Sequence, residues 1–257
     1  MFRVTIFAAI ALIATNGVPF VQAGGGPTQQ ISCDDTSGQL KVGDYFKPAT
    51  SQTSLELNNV APNSRSPCPG FNSLANGGYL PRDGKNVNKD MIRTAFMNVF
   101  NIAEDWINAQ FSRLPDVFSL DFLSTLDRHA SFVRDDINLN PNAVEVNTTL
   151  AKDFLSRADA DGKISLAAVA KARVDRDNQC KAINPVCNYT APVEMTAFRQ
   201  AALLLHIMGQ IDFITAAHAE SFLVQEKIPV DFVKSGVPIT VAALNMTYTK
   251  LVEAAPK

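Results

Sequence analysis

"SRSPCPGFNSLANGGYLPRDGKNV", residues 64–87, sets a cysteine between two prolines and follows it with a dense run of Gly, Asn and Pro. Pro69 has its φ fixed near a helical value and no N–H to lose, so it suits the first position of a helix. The short stretch "PGFNSLAN" is therefore read as that helix, with Cys68 as its N-cap. A sulfur so placed faces free backbone N–H groups and the positive end of the helix dipole. Both favour thiolate over thiol, and a thiolate can ligate iron. A disulfide to Cys33 is the competing reading, in which the Pro-Cys-Pro setting is a structural detail.

Working outward, the chain has four cysteines in 257 residues. Cys180 and Cys187 form the natural pair, closing a short loop, which leaves Cys33 and Cys68 to be assigned. Residues 1–23 read as a secretory signal: Arg3 supplies the positive start, "TIFAAIALIA" is too short to span a bilayer, and "VQA" offers small residues before a cut. No later segment reaches about 18 uninterrupted apolar residues, so the mature chain is expected to be secreted and extracellular, with no membrane anchor. Sequons at Asn147, Asn188 and Asn245 fit a glycoprotein. A net charge of −2, without a Lys/Arg block, gives no pull toward nucleic acid. The sequence gives no oligomeric state.

Residues 24–60 are rich in Gly, Thr, Gln and Ser and read as a loose N-terminal segment, leaving residues 61–257 as one domain. From Asn88, a plausible cap, apolar residues recur at helical spacing through Phe96, Trp106 and Phe111, which predicts one long core helix. Similar periodicity covers Ile164 to Val174, Met195 to Met208 and Phe213 to Val224. Strand-like alternation is scarce, so the fold class is all-α. "SRADADGKISLAAVA" imitates the middle of a calcium loop, but Gly162 at loop position six puts Arg157 and Ala168 where acidic ligands belong. It is read as a turn that starts a helix.

Residues 67–84 resemble the proximal segment of the secreted haem-thiolate peroxidases, the family of chloroperoxidase and the unspecific peroxygenases. The departure is Gly77, where that segment carries histidine. Two further blocks, "LDRHASFVRDD" at 126–136 and Met195 to Phe232, are similar to the family's distal segment and later helices, in the same order. The resemblance implies a single helical domain binding haem b, with Cys68 as axial ligand in a segment that includes Pro67, Pro69 and Asn72. It implies hydrogen peroxide as oxidant and a small organic molecule or a halide as substrate.

It also implies a Mg²⁺ or Mn²⁺ site beside a haem propionate, here falling on Asp127, the Arg128 carbonyl and Ser131; Arg134 is intact. Asp127, Arg128 and His129 replace the family's acidic, His or Gly, and Asp residues. The Arg128 guanidinium could pair with the propionate in place of the ion. The acid-base glutamate aligns with Gln200, and an amide cannot carry the proton. His129 or Asp127 would have to substitute, so a slow enzyme is expected. A haem- or apolar-ligand-binding protein on the same fold is the alternative, and a haem-free helical protein with a Cys33–Cys68 bridge is a third. His206 and His218 are read as structural.

Overall fold

The computed structural model describes residues 39–54, 60–112, 114–126, 131–136, 138–140, 144–187 and 190–257. The signal stretch, Cys33, Asp127, Arg128, His129 and Asn188 lie outside the described residues. The fold is mainly helical, and the strands are two or three residues long. No helix among the described residues is long and apolar enough to cross a membrane.

The polypeptide enters through a parallel pair, β1 (Thr53–Ser54) and β2 (Asn63–Ser64), and then forms α1 (Pro69–Asn76). β3 (Val87–Asn88) pairs antiparallel with β4 (Val117–Phe118) around α2 (Lys89–Phe100) and α3 (Glu104–Phe111). Asn88 caps α2 as expected, its side chain accepting the Met91 N–H at 2.9 Å. The expected single helix to Phe111 is broken at Asn101, which takes a left-handed conformation (φ 52°, ψ 42°). The turn is held from outside: the Asn101 amide donates to Ser235 O at 2.7 Å, and Ile102 bridges Ile239.

The second half contains α4 (Thr148–Leu155), β5 (Lys163–Ser165), α5 (Leu166–Ile183), α6 (Ala191–Met208), β6 (Phe213–Thr215), α7 (Ala216–Ala219) and α8 (Val241–Ala254). A π-helical turn, Glu220–Val224, extends α7. Helices α5, α6 and α8 pack on one another. β5 and β6 pair antiparallel through Ile164 and Ile214, so Ile164 and Phe213 sit in strands ahead of their helices rather than in them. The loop before β5 is the expected turn. Asp159 Oδ1 accepts the Asp161 and Lys163 N–H groups, and Arg157 ion-pairs with Asp153 and Asp175.

The core behind α1 is aromatic. Phe71 meets Phe96 edge-on at 5.0 Å, Phe111 closes one side, and Phe222 of the π-helical turn reaches Phe100 at 6.1 Å. Packing begins before the expected boundary at residue 60: Gly43 and Phe46 donate backbone N–H groups to Gly77 O and Asn76 O, and the Tyr45 hydroxyl donates to Gln225 O at 2.6 Å. Small and polar composition does not leave this strap loose, because its backbone satisfies the last turn of α1.

Candidate active site

Cys68 is the N-cap of α1, extended at φ −91° and ψ 114°, with Pro69 starting the helix as the sequence suggests. It is a thiol and half-buried. Its side chain takes no cap hydrogen bond, which differs from the expected grip by first-turn N–H groups. The sulfur sits instead toward Gly70: a methyl at that glycine would lie 3.6 Å from Cys68 Sγ and 3.3 Å from the Phe96 ring. Glycine thus avoids crowding the Phe96 ring, with the sulfur and the Phe222 ring at contact distance on the other sides. A half-buried thiol at the positive end of a helix is a fitting donor for a haem iron.

The backbone at Cys68 is held by side chains. Its N–H donates to Ser66 Oγ at 3.1 Å. The single Ser66 proton goes either to Asn72 Oδ1 or to the Cys68 carbonyl, each 3.1 Å away. Asn72 Oδ1 also accepts the Ser66 N–H at 2.9 Å, while its Nδ2 donates to Ser66 O at 2.8 Å and to Glu226 Oε1 at 2.6 Å. Asn72 therefore joins the thiol loop to a buried carboxylate.

Glu226 is 3% exposed and lies just beyond the π-helical turn with φ 54°. Oε1 also meets Arg134 Nη2 at 2.5 Å, and Oε2 meets Lys47 Nζ at 2.9 Å. Burial alone would raise this carboxyl. The Arg134 and Lys47 charges and the Asn72 N–H outweigh it and hold the pKa below the ordinary glutamate value. The neighbouring Asn76 donates to Glu226 O at 3.0 Å and accepts two N–H groups of buried Arg65. Burial pulls the Arg65 guanidinium down to about 10, so it stays charged at neutral pH. The signal for this hub was present in sequence as Arg134 and the "QEKIP" turn, but nothing local marked Lys47 as the third partner.

Ser131 and Arg134 belong to a segment gripped by α5. Arg176 donates from Nε to Ser131 O and from Nη2 to Arg134 O, and Asn184 donates to Asp136 Oδ2 at 3.0 Å. The expected disulfide is present, Cys180 to Cys187, and it closes the chain around Asn184. Ser131 Oγ accepts the Val133 N–H at 3.1 Å. Among the described residues no three His, Cys, Asp or Glu side chains gather as a metal site. Gln200 is half-buried on α6; its neighbour Arg199 reaches over the Tyr248 ring of α8 at 5.7 Å. His206 meets Thr247 Oγ1 of α8 at 2.8 Å, and His218 meets Met208 O at 2.9 Å and Asp231 Oδ1 at 3.1 Å.

Gly77 has its own neighbour. A Cβ there would lie 2.9 Å from the Tyr79 ring, so this chain fills with Tyr79 the space a larger residue at 77 would need.

A helical fold that opens α1 on a thiol between prolines, braced from behind by a buried polar network, defines a candidate thiolate-ligand protein. Residues 44–237 match the family "Peroxidase, family 2", and the chain belongs to that family. An aromatic peroxygenase of Coprinellus radians is 26% identical over 203 residues, covering 65% of this chain and 77% of that protein. The chloroperoxidase of Leptoxyphium fumago is 45% identical over 51 residues, 19% of this chain, and the aligned stretch spans 14% of that protein. A dothistromin biosynthesis peroxidase of Dothistroma septosporum is 50% identical over 42 residues, 16% of this chain and 10% of its own.

Proposed function

We propose that the protein is a secreted haem-thiolate peroxidase or peroxygenase that uses hydrogen peroxide to oxidise or oxygenate a small organic substrate or a halide. The observation that carries this reading is the Cys68 thiol at the start of α1, its backbone held by Ser66 and Asn72. Membership of the peroxidase family and the similarity to an aromatic peroxygenase support it. Haem b, when bound, supplies the redox chemistry of peroxide cleavage, which thiolate ligation favours by donating electron density. Cys68 would ligate the iron, and Pro67, Pro69 and Asn72 would hold the loop that presents it.

The proton step is the weak point. Gln200 stands where the resemblance calls for an acid-base carboxylate, and its amide neither accepts nor returns a proton at working pH. Losing such help costs about 10² to 10⁴ in rate. His129 and Asp127 are the groups of this chain that could replace it. A divalent Mg²⁺ or Mn²⁺ on Asp127, the Arg128 carbonyl and Ser131, or the Arg128 side chain in its place, would balance a haem propionate. The Cys180–Cys187 bridge fits assembly in an oxidising compartment and so favours reading residues 1–23 as an export signal. If the chain is glycosylated, exposed Asn245 on α8 suits a glycan better than Asn147, whose side chain caps α4 and donates to Asp135.

The test is an absorption spectrum of the purified protein, reduced and under carbon monoxide. Thiolate ligation gives a strongly red-shifted Soret band, and Cys68→Ala should abolish it together with most bound haem. A band unchanged in that variant overturns the assignment. Peroxide-dependent oxidation of a chromogenic phenol, above the rate of free haem, then distinguishes an enzyme from the second reading. That reading, a haem- or apolar-ligand-binding protein on the same fold, is favoured by Gln200.

A further inference from the structure

We infer that Glu226 is a positioning residue for Cys68, its buried carboxylate locking the thiol loop and the Ser131–Asp136 segment into one register through Asn72 and Arg134. The inference rests on Cys68 being the haem ligand. The relay is continuous: Glu226 Oε1 takes Asn72 Nδ2, Asn72 Oδ1 takes the Ser66 N–H, and Ser66 Oγ takes the Cys68 N–H. Its direction is fixed by chemistry. Because the Ser66 N–H must find an acceptor, the Asn72 amide presents Oδ1 there and Nδ2 to the carboxylate, and it cannot flip without losing both bonds.

The same Glu226 oxygen binds Arg134, three residues beyond Ser131. One atom therefore meets groups from both segments that carry proposed site residues. A buried ion pair alone is weak evidence for any role beyond packing. Here the backbone is committed to delivering this carboxylate. Glu226 is a non-glycine residue in the left-handed region, next to a π-helical turn. Asn76 holds its carbonyl, and Lys227 N–H and O are held by Ser221 O and Ser221 Oγ. Residues kept in such a conformation persist where surrounding contacts over-determine them, often beside functional groups. Glutamine at 226 could keep the Oε1 acceptor for Asn72 and Arg134, whereas leucine offers no acceptor to either, so leucine cuts the relay at its buried end.

The experiment compares full-length haem-loaded wild type, Glu226→Leu, the charge-balanced pair Glu226→Leu/Arg134→Met, and Leu251→Ala, a core truncation in α8. The share of the red-shifted band in the reduced carbon monoxide adduct is read as temperature rises below each protein's unfolding midpoint. Glu226→Leu and the double variant should lose most of that band in favour of the unshifted form given by a protonated or displaced thiol. Leu251→Ala should keep it up to its own lowered midpoint. If Glu226→Leu does not fold, the double variant, which strands no buried charge, decides. Retention of the wild-type share in the folded leucine variants overturns the positioning role. A wild type with haem but no red-shifted band overturns the ligand assignment itself, which is a different result.

Discussion

Gln200 and glutamate differ in shape by little and in chemistry by a titratable oxygen, so exchange at this position tests the proposed proton step. Gln200→Glu should raise the rate of peroxide activation about 10²-fold or more in the haem-loaded protein, measured by stopped flow. An unchanged rate would place Gln200 away from the peroxide or show another residue already carrying the proton. Glu226 makes a prediction of opposite kind. Its carboxyl sits below the ordinary value of 4.5, so the stability it contributes is fully present above pH 4.5 and drains away as pH falls through the lowered pKa. Glu226→Gln should flatten the acid limb of an unfolding curve recorded from pH 5 to pH 3. Cys68 as a helix start was legible because Pro69 imposes it locally. The Lys47 to Glu226 pair was not, since a pairing across so much chain leaves no local signature. The reason for Gly77 lies in the Tyr79 ring, which only packing reveals.

Between α2 and α3 the apolar residues keep their phase across the break, which is why periodicity alone ran the two helices together. What ends α2 is Asn101 in a left-handed turn with its amide on Ser235 O. Asn101→Ala should cost about 2 kcal/mol, from the strained backbone and the lost bond. Asn101→Gly should cost about 1 kcal/mol, from the bond alone; equal losses in urea unfolding would contradict the conformational part. At the α6–α8 contact, burial lowers His206 below 6.5, with Lys250 adding to the shift and the Ala243 backbone opposing it. Its contribution is complete above pH 6.5 and lost as pH falls toward the lowered value. His206→Gln should therefore remove a slope of midpoint temperature against pH just below 6.5. The strands β5 and β6 escaped sequence reading because three residues are too few to show alternation.

For the molecule as a whole, the family was carried by short motifs in family order, of which Asn72, Arg134 and Glu226 meet in the buried hub. The packing of residues 43–46 was not legible in composition, because its anchors are backbone groups at the end of α1. The bridge from Cys180 to Cys187 holds the end of α5, where Asn184 grips Asp136. Reducing it should lower stability by about 2 to 3 kcal/mol on the chain-entropy account. It should also speed hydrogen exchange across 131–136, and exchange confined to 180–187 would show that the grip is local.

The hub at Glu226 has a further consequence in time. Its partners stand at positions 47, 72 and 134, and the bond from Asn72 spans 154 residues. Synthesis delivers the cysteine early and its brace almost last, so a nascent chain shorter than 226 residues carries Cys68 on a loop with nothing to close it. Long-range closure of this kind is slow. During that interval the thiol is open to mispairing with whichever cysteine has already emerged, and the order of translation becomes a hazard that the finished fold no longer displays.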